Sequence, residues 1–117
     1  MKGENISERL IQFAVRIIRL VQSLPKNHVN NHIAYQLLKS GTSPGANYEE
    51  ARGAESTSDF VHKLKIALKE LRESVYWLKV LRLAKILTAN KLNDITTEGE
   101  ELSRIIAQSI ITAQKKK

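Results

Sequence analysis

Apolar residues recur along this chain at the spacing of helices that bury one face. Ile6, Leu10, Phe13, Ala14, Ile17, Leu20, Val21 and Leu24 fall on one stripe at about 100° per residue. They predict a first helix capped by Asn5 or Ser7 and ended by Pro25, which pushes Leu24 out of helical geometry. Ile11, Val15 and Ile18 widen the apolar arc to about 220°, against the roughly 100° that one bundle core requires. Arg9, Gln12, Arg16, Arg19 and Ser23 occupy the remainder. A lone chain would leave the second strip in water, so the first helix is expected to pack against another subunit. A helix lying on a membrane surface is the competing explanation.

The linker PKNHVNNH offers Asn27, Asn30 and Asn31 as starts for a second helix. Its hard stretch is SGTSPG, residues 40–45, whose composition alone reads as a turn. The periodicity contradicts that. Ile33, Leu37, Ser40, Pro44, Asn47, Ala51 and Ala54 follow one another at alternating steps of four and three, a single face of one long helix kinked at Pro44. The local cost, with Gly41, Gly45 and Gly53 counted beside the proline, is very roughly 6 kcal/mol, which only tertiary packing can offset. Small residues admit a close neighbour, and the third helix supplies bulky fillers in Phe60, Leu64, Leu71, Tyr76, Trp77 and Leu78. Ser40, Thr42, Ser43 and Asn47 then need hydrogen-bond partners. Thr42, Ser43 or Asn47 can serve the backbone groups freed by Pro44, and Glu70 or Glu73 can bind the hydroxyls from the facing helix. This polar set reads first as structural; a small-molecule pocket at the kink is the alternative.

GAESTSD is the next turn, with Ser56 or Ser58 capping a third helix expected over Asp59 to Leu87. Its core stripe is Phe60, Leu64, Ala67, Leu68, Leu71, Val75 and Leu78. A second row, Lys65, Lys69, Arg72 and Tyr76, is offset by about 100° and can follow phosphates and stack a base. A plain solvated face is the competing reading. A third strip, Ile66, Trp77, Val80 and Ala84, again exceeds what one core can use. Residues 88–93 form a short connection. The fourth helix carries Leu92, Ile95, Leu102, Ile105, Ile106, Ser109, Ile110 and Ala113, with Gly99 weakening its middle and a restart suggested at Thr97 by its capping-box spacing to Glu100. The pattern predicts an all-α fold, an antiparallel up-and-down four-helix bundle with a Pro/Gly-kinked second helix. Residues 1–114 make a single domain and Lys115, Lys116 and Lys117 a disordered basic tail.

Composition narrows the function. The 117 residues contain no cysteine, which excludes disulfide and thiolate chemistry and suits a reducing cytoplasm. No apolar run approaches the roughly 20 residues of a membrane span, and the N-terminus does not read as a signal peptide. Net charge is +7, with the excess in the first and third helices. That favours acidic partners, and places candidate nucleic-acid contacts at Arg9, Arg16, Arg19, Lys65, Lys69, Arg72, Tyr76 and the three tail lysines.

Catalytic chemistry is poorly supported. His28 and His32 have the i, i+4 spacing of a metal pair but no third ligand nearby. A di-iron bundle needs two Glu-x-x-His motifs, and the chain offers only Asp59-x-x-His62. Glu49, Glu50, Glu70 and Glu73 lack a visible nucleophile or substrate-positioning group. No enzyme, cofactor or metal is expected.

The blocks SGTSPGANYEEA and KLKIALKELRESVYWL, with Ala54, Ser56, Asp59 and Phe60 between them, resemble the four helix bundle protein family, also known as the 23S rRNA intervening-sequence proteins and sometimes labelled ribosomal. The resemblance covers nearly the whole chain. It implies a cytoplasmic bacterial protein, a ring-like homopentamer and no known catalysis. Relatives are encoded within insertions in large-subunit rRNA genes, and a cousin acts beside a reverse transcriptase in diversity-generating retroelements. The expectation is therefore a non-enzymatic oligomeric scaffold binding structured RNA or DNA through basic faces; a protein-interaction module without nucleic-acid contact is the alternative.

Overall fold

The computed structural model describes the backbone of residues 2–116 and the side chains of residues 5–116. Lys117, the last residue of the expected tail, lies outside them. Four helices follow in order: α1 (Lys2–Ser23), α2 (His28–Arg52), α3 (Thr57–Leu83) and α4 (Ala89–Lys115). Consecutive helices lie side by side, and α4 returns beside α1, which it meets more sparsely than any other pair meets. The result is an antiparallel four-helix bundle of 48 × 22 × 20 Å, with Leu10, Phe13, Ile17, Leu37, Leu64, Leu71, Leu78, Leu102 and Ile106 at its centre.

Helix ends depart from the sequence expectation in informative ways. α1 begins at Lys2, so Asn5 and Ser7 stand inside it and cap nothing. Ser7 instead accepts a hydrogen bond from Arg52 at 2.8 Å. Asn27 starts α2, its side chain accepting the Asn30 amide at 2.8 Å. Buried Asn30 in turn donates to the Pro25 carbonyl at 3.0 Å, which pins the turn between α1 and α2. Ser56 caps α3 by accepting the Asp59 amide.

The end of α3 comes at Leu83 rather than Leu87. Lys85 adopts φ 59°, its amide donates to the Arg82 carbonyl, and the Ile86 amide reaches back to Leu81 at 3.0 Å. These two bonds form a Schellman cap, a device that usually employs glycine. No glycine marks the place in the sequence. α4 then begins at Ala89 and needs no restart at Thr97, because Leu92, Ile95, Gly99, Leu102, Ile106 and Ile110 bury one unbroken face. It runs to Lys115, one residue into the expected tail, with Lys116 at its cap.

α2 passes through residues 40–45 as one continuous helix with Pro44 buried in its interior. Ile33, Leu37, Ser40, Pro44 and Ala51 form the expected buried face, but Tyr48 takes the place assigned to Asn47, and the helix stops at Arg52 before Ala54. The neighbour of the glycines also differs from expectation. Gly41 faces Ile17 and Gly45 faces Leu10, both on α1, so the close approach is between α1 and α2. The serines, about 100° or more round the helix from the glycines, are what meet α3. Leu64, Leu71 and Leu78 fill that side, whereas Tyr76, expected as a filler, is 58% exposed.

Candidate nucleic-acid interface

The polar seam between α2 and α3 is closed. Ser74 Oγ lies 3.2 Å from Ser40 Oγ and 3.0 Å from the Glu70 carbonyl, sharing its one proton between them, while Ser40 donates to the Leu37 carbonyl. Ser43 donates to Glu70 Oε1 at 3.2 Å. Thr42 and Asn47 donate to the Leu38 and Ser43 carbonyls, not to the Ser40 carbonyl that Pro44 leaves without its usual partner. Glu73 takes no hydroxyl and instead accepts the indole N–H of Trp77 at 3.2 Å. Among the described residues no buried side-chain nitrogen or oxygen lacks a partner. Ser40, Ser43, Asn47, Glu70, Glu73 and Trp77 thus join in hydrogen bonds within and between α2 and α3, and Gly41, Pro44 and Gly45 pack among them on α2.

The basic residues sort differently. Arg9 is engaged: its guanidinium donates to Glu98 at 3.0 and 2.7 Å and to Glu101 at 2.9 Å, clamping α1 to α4. Hydrogen bonding to Arg9 holds the Glu98 carboxyl below the usual carboxylate range, against an opposing push from burial, and the pair raises Arg9 further above its ordinary value. Arg9 is a structural cation. Arg16 and Arg19 are exposed on α1.

On α3, Lys65, Lys69, Arg72 and Tyr76 are all exposed and share one side of the helix. Their neighbour across the bundle is α4. Arg72 and Arg104 line the same cleft of about 260 Å³, with Val75 and Ala107 as apolar lining and Ser103 and Glu100 at its edge. Glu100 is taken by Lys79 at 3.3 Å, and among the described residues neither arginine has an acidic partner. The sequence did not single out Arg104. It is an isolated cation in the second half of α4, and only the antiparallel register, fixed where Gly99 meets Val75, brings it beside Arg72.

Tyr76 is oriented by its neighbour. Trp77 meets it edge-on, centroids 4.9 Å apart, and His32 meets Trp77 at 6.1 Å. A larger groove of about 960 Å³ opens where α2 turns into α3, bordered by Ala51, Phe60, Ile105 and Ala113. Arg52, Glu55 and Lys116 are the charged residues of its described lining. Among the described residues no three His, Cys, Asp or Glu side chains gather as a metal site, and no helix is long and apolar enough to cross a membrane.

Surplus apolar surface is present on two sides. Ile11 and Ile18 of α1 are 51% and 39% exposed, with Val15 half-buried between them. On α2, which meets α1 where Gly41 faces Ile17, Leu38 and Tyr35 are 39% and 64% exposed. On α3, Ile66, Trp77 and Val80 are half-buried and Ala84 is exposed.

Comparison with known proteins places this geometry. Residues 4–108 match the family model described as 23S rRNA-intervening sequence protein. Among solved structures, the chain is similar to a protein of unknown function from the S23 ribosomal protein family of Bacteroides thetaiotaomicron, at 37% identity and a TM-score of 0.84, over 94% of this chain and 98% of that one. No curated protein matches the chain.

Proposed function

The chain belongs to the 23S rRNA-intervening sequence protein family, and from that premise we propose that it is a non-enzymatic, homo-oligomeric helical scaffold of the cytoplasm that binds structured RNA or DNA through its basic surface. The observation that carries this reading is the exposed row of Lys65, Lys69 and Arg72 ending in an exposed tyrosine, on a protein of net charge +7. Cations held in line on a rigid helix replace condensed counterions along a phosphate backbone. Assembly into a ring, with a pentamer as the expected number, would repeat the row and raise the effective concentration of each weak contact. The uncovered apolar strips on α1, α2 and α3 support self-association.

The test is a titration of the purified protein with RNA and with duplex DNA at several salt concentrations. Binding at micromolar concentration or tighter, weakening steeply with salt, is the expected result. Absence of binding at low salt overturns the reading.

A second reading is a protein-interaction module, docking a partner such as a reverse transcriptase, without nucleic-acid contact. The exposed Ile11, Ile18, Leu38 and Tyr35 favour it. Charge reversal of Lys65, Lys69 and Arg72 separates the two, since it abolishes RNA binding and leaves an apolar docking site intact.

A further inference from the structure

We propose that the face shared by α3 and α4 takes an unpaired stretch of nucleic acid, with phosphates on Lys65, Lys69 and the Arg72–Arg104 cleft and one base stacked on Tyr76. The inference rests on the nucleic-acid reading above and deepens it, by naming the form of the ligand and the side of the bundle that holds it.

The four α3 positions advance by four, three and four residues, so their side chains emerge at steps of about 6, 4.5 and 6 Å. Those steps hold the cations in one line along the helix, which a single phosphate backbone can follow. The cleft between Arg72 and Arg104, at about 260 Å³, is smaller than the roughly 300–1,000 Å³ of a small-molecule pocket and fits a single group. Two guanidiniums in its lining, with no acidic partner among the described residues, make that group an anion. Guanidinium forks match phosphate oxygens well.

Tyr76 decides between paired and unpaired ligands. It is 58% exposed, at the end of the cation row, and its ring is steadied by edge-on contact with Trp77, itself held by Glu73. An aromatic face open to solvent and fixed in advance is a platform for a base. In a duplex the base faces are already stacked on one another. Only unpaired bases can use this platform.

The experiment uses the full chain, oligouridylate and oligothymidylate as single strands, and a duplex of equal length. Binding is followed by anisotropy of labelled nucleic acid and by emission of Trp77, the protein's single tryptophan. Single strands are expected to bind at least fivefold tighter than duplex and to change the Trp77 emission. The salt slope for four contacts is about −3, and Arg72→Ala with Arg104→Ala reduces it by about 1.4 and weakens binding tenfold or more. Tyr76→Ala weakens single-strand binding about fivefold or more, and Tyr76→Phe restores it. Arg16→Ala with Arg19→Ala removes the same charge from α1 and changes affinity less than threefold. Circular dichroism confirms that each variant keeps its helices. If the parent protein binds no nucleic acid at low salt, the function proposed above fails. If it binds, but prefers duplex, is insensitive to Tyr76→Ala, or loses as much affinity through the α1 pair, the present inference fails and the broader reading stands.

Discussion

Gly41 lies so close to Ile17 that a methyl group added at Gly41 would sit 2.7 Å from Ile17 Cγ1 and 2.8 Å from Cγ2. Both are branches of a fully buried, stiff side chain. Alanine in place of glycine ordinarily stabilises a helix interior by about 1 kcal/mol. Here the clash reverses the sign: Gly41→Ala is expected to destabilise by roughly 1–3 kcal/mol. Gly45 is the internal control, since its added methyl would meet Leu10 Cβ at an ordinary 3.5 Å, and Gly45→Ala is expected to be neutral or stabilising by up to about 1 kcal/mol. Gly99→Ala, 2.9 Å from Val75, should behave like Gly41→Ala. Urea midpoints of the three variants check the ordering.

Acid should loosen the join between α1 and α4. Glu98 has its folded-state pKa depressed by Arg9, so its contribution is present above the unfolded value near 4.5 and is lost as pH falls through the folded value. Arg9 is pushed further above a range that already lies beyond ordinary titration, so there is no alkaline counterpart. Glu98→Gln is expected to cost about 1 kcal/mol at pH 7, and the difference from the parent protein to vanish at strongly acid pH. Denaturant unfolding of both proteins between pH 7 and 3 tests this.

Lys85 occupies left-handed backbone at φ 59°. The αL position at a helix end costs a non-glycine residue roughly 1 kcal/mol, and this side chain is exposed with no ion pair among the described residues. Lys85→Gly is expected to raise stability by about 0.5–1 kcal/mol without altering α3. A lowered melting temperature would contradict the assignment of the cap.

Self-association through the α1–α2 side predicts a clean dissociating variant. Ile11→Glu with Ile18→Glu places charge on side chains that are 51% and 39% exposed, so the fold should survive while the assembly falls apart. Sedimentation of parent and variant at matched concentration gives the answer. A parent protein that sediments as a single chain at high concentration removes the oligomer from the proposal.

What the sequence made legible follows from periodicity. The alternating spacing through Ser40 and Pro44 identified one helix where composition suggested a turn, because burial on one face is a stronger constraint than local propensity. Periodicity names a face without naming what lies against it. Gly41 and Ser40 are adjacent in the chain yet meet different helices, and the spacing that suggests α3 as the neighbour of the glycines cannot distinguish it from α1, which they serve. Cations pose the same difficulty. Arg9 and Arg104 look alike in the sequence, and only the register of α4 against its two neighbours locks one to Glu98 and sets the other beside Arg72. The end of α3 was invisible for a plainer reason: a lysine sits where the turn usually demands glycine.

The sparse meeting of α1 and α4 gives the bundle a spine and a fore-edge. Four helices joined in sequence through three broad interfaces hold like pages at a binding, while the last meets the first thinly, with Phe13 against Gly99 and the grip of one arginine. A molecule bound this way is expected to open first along that margin, where hydrogen exchange would meet the least resistance.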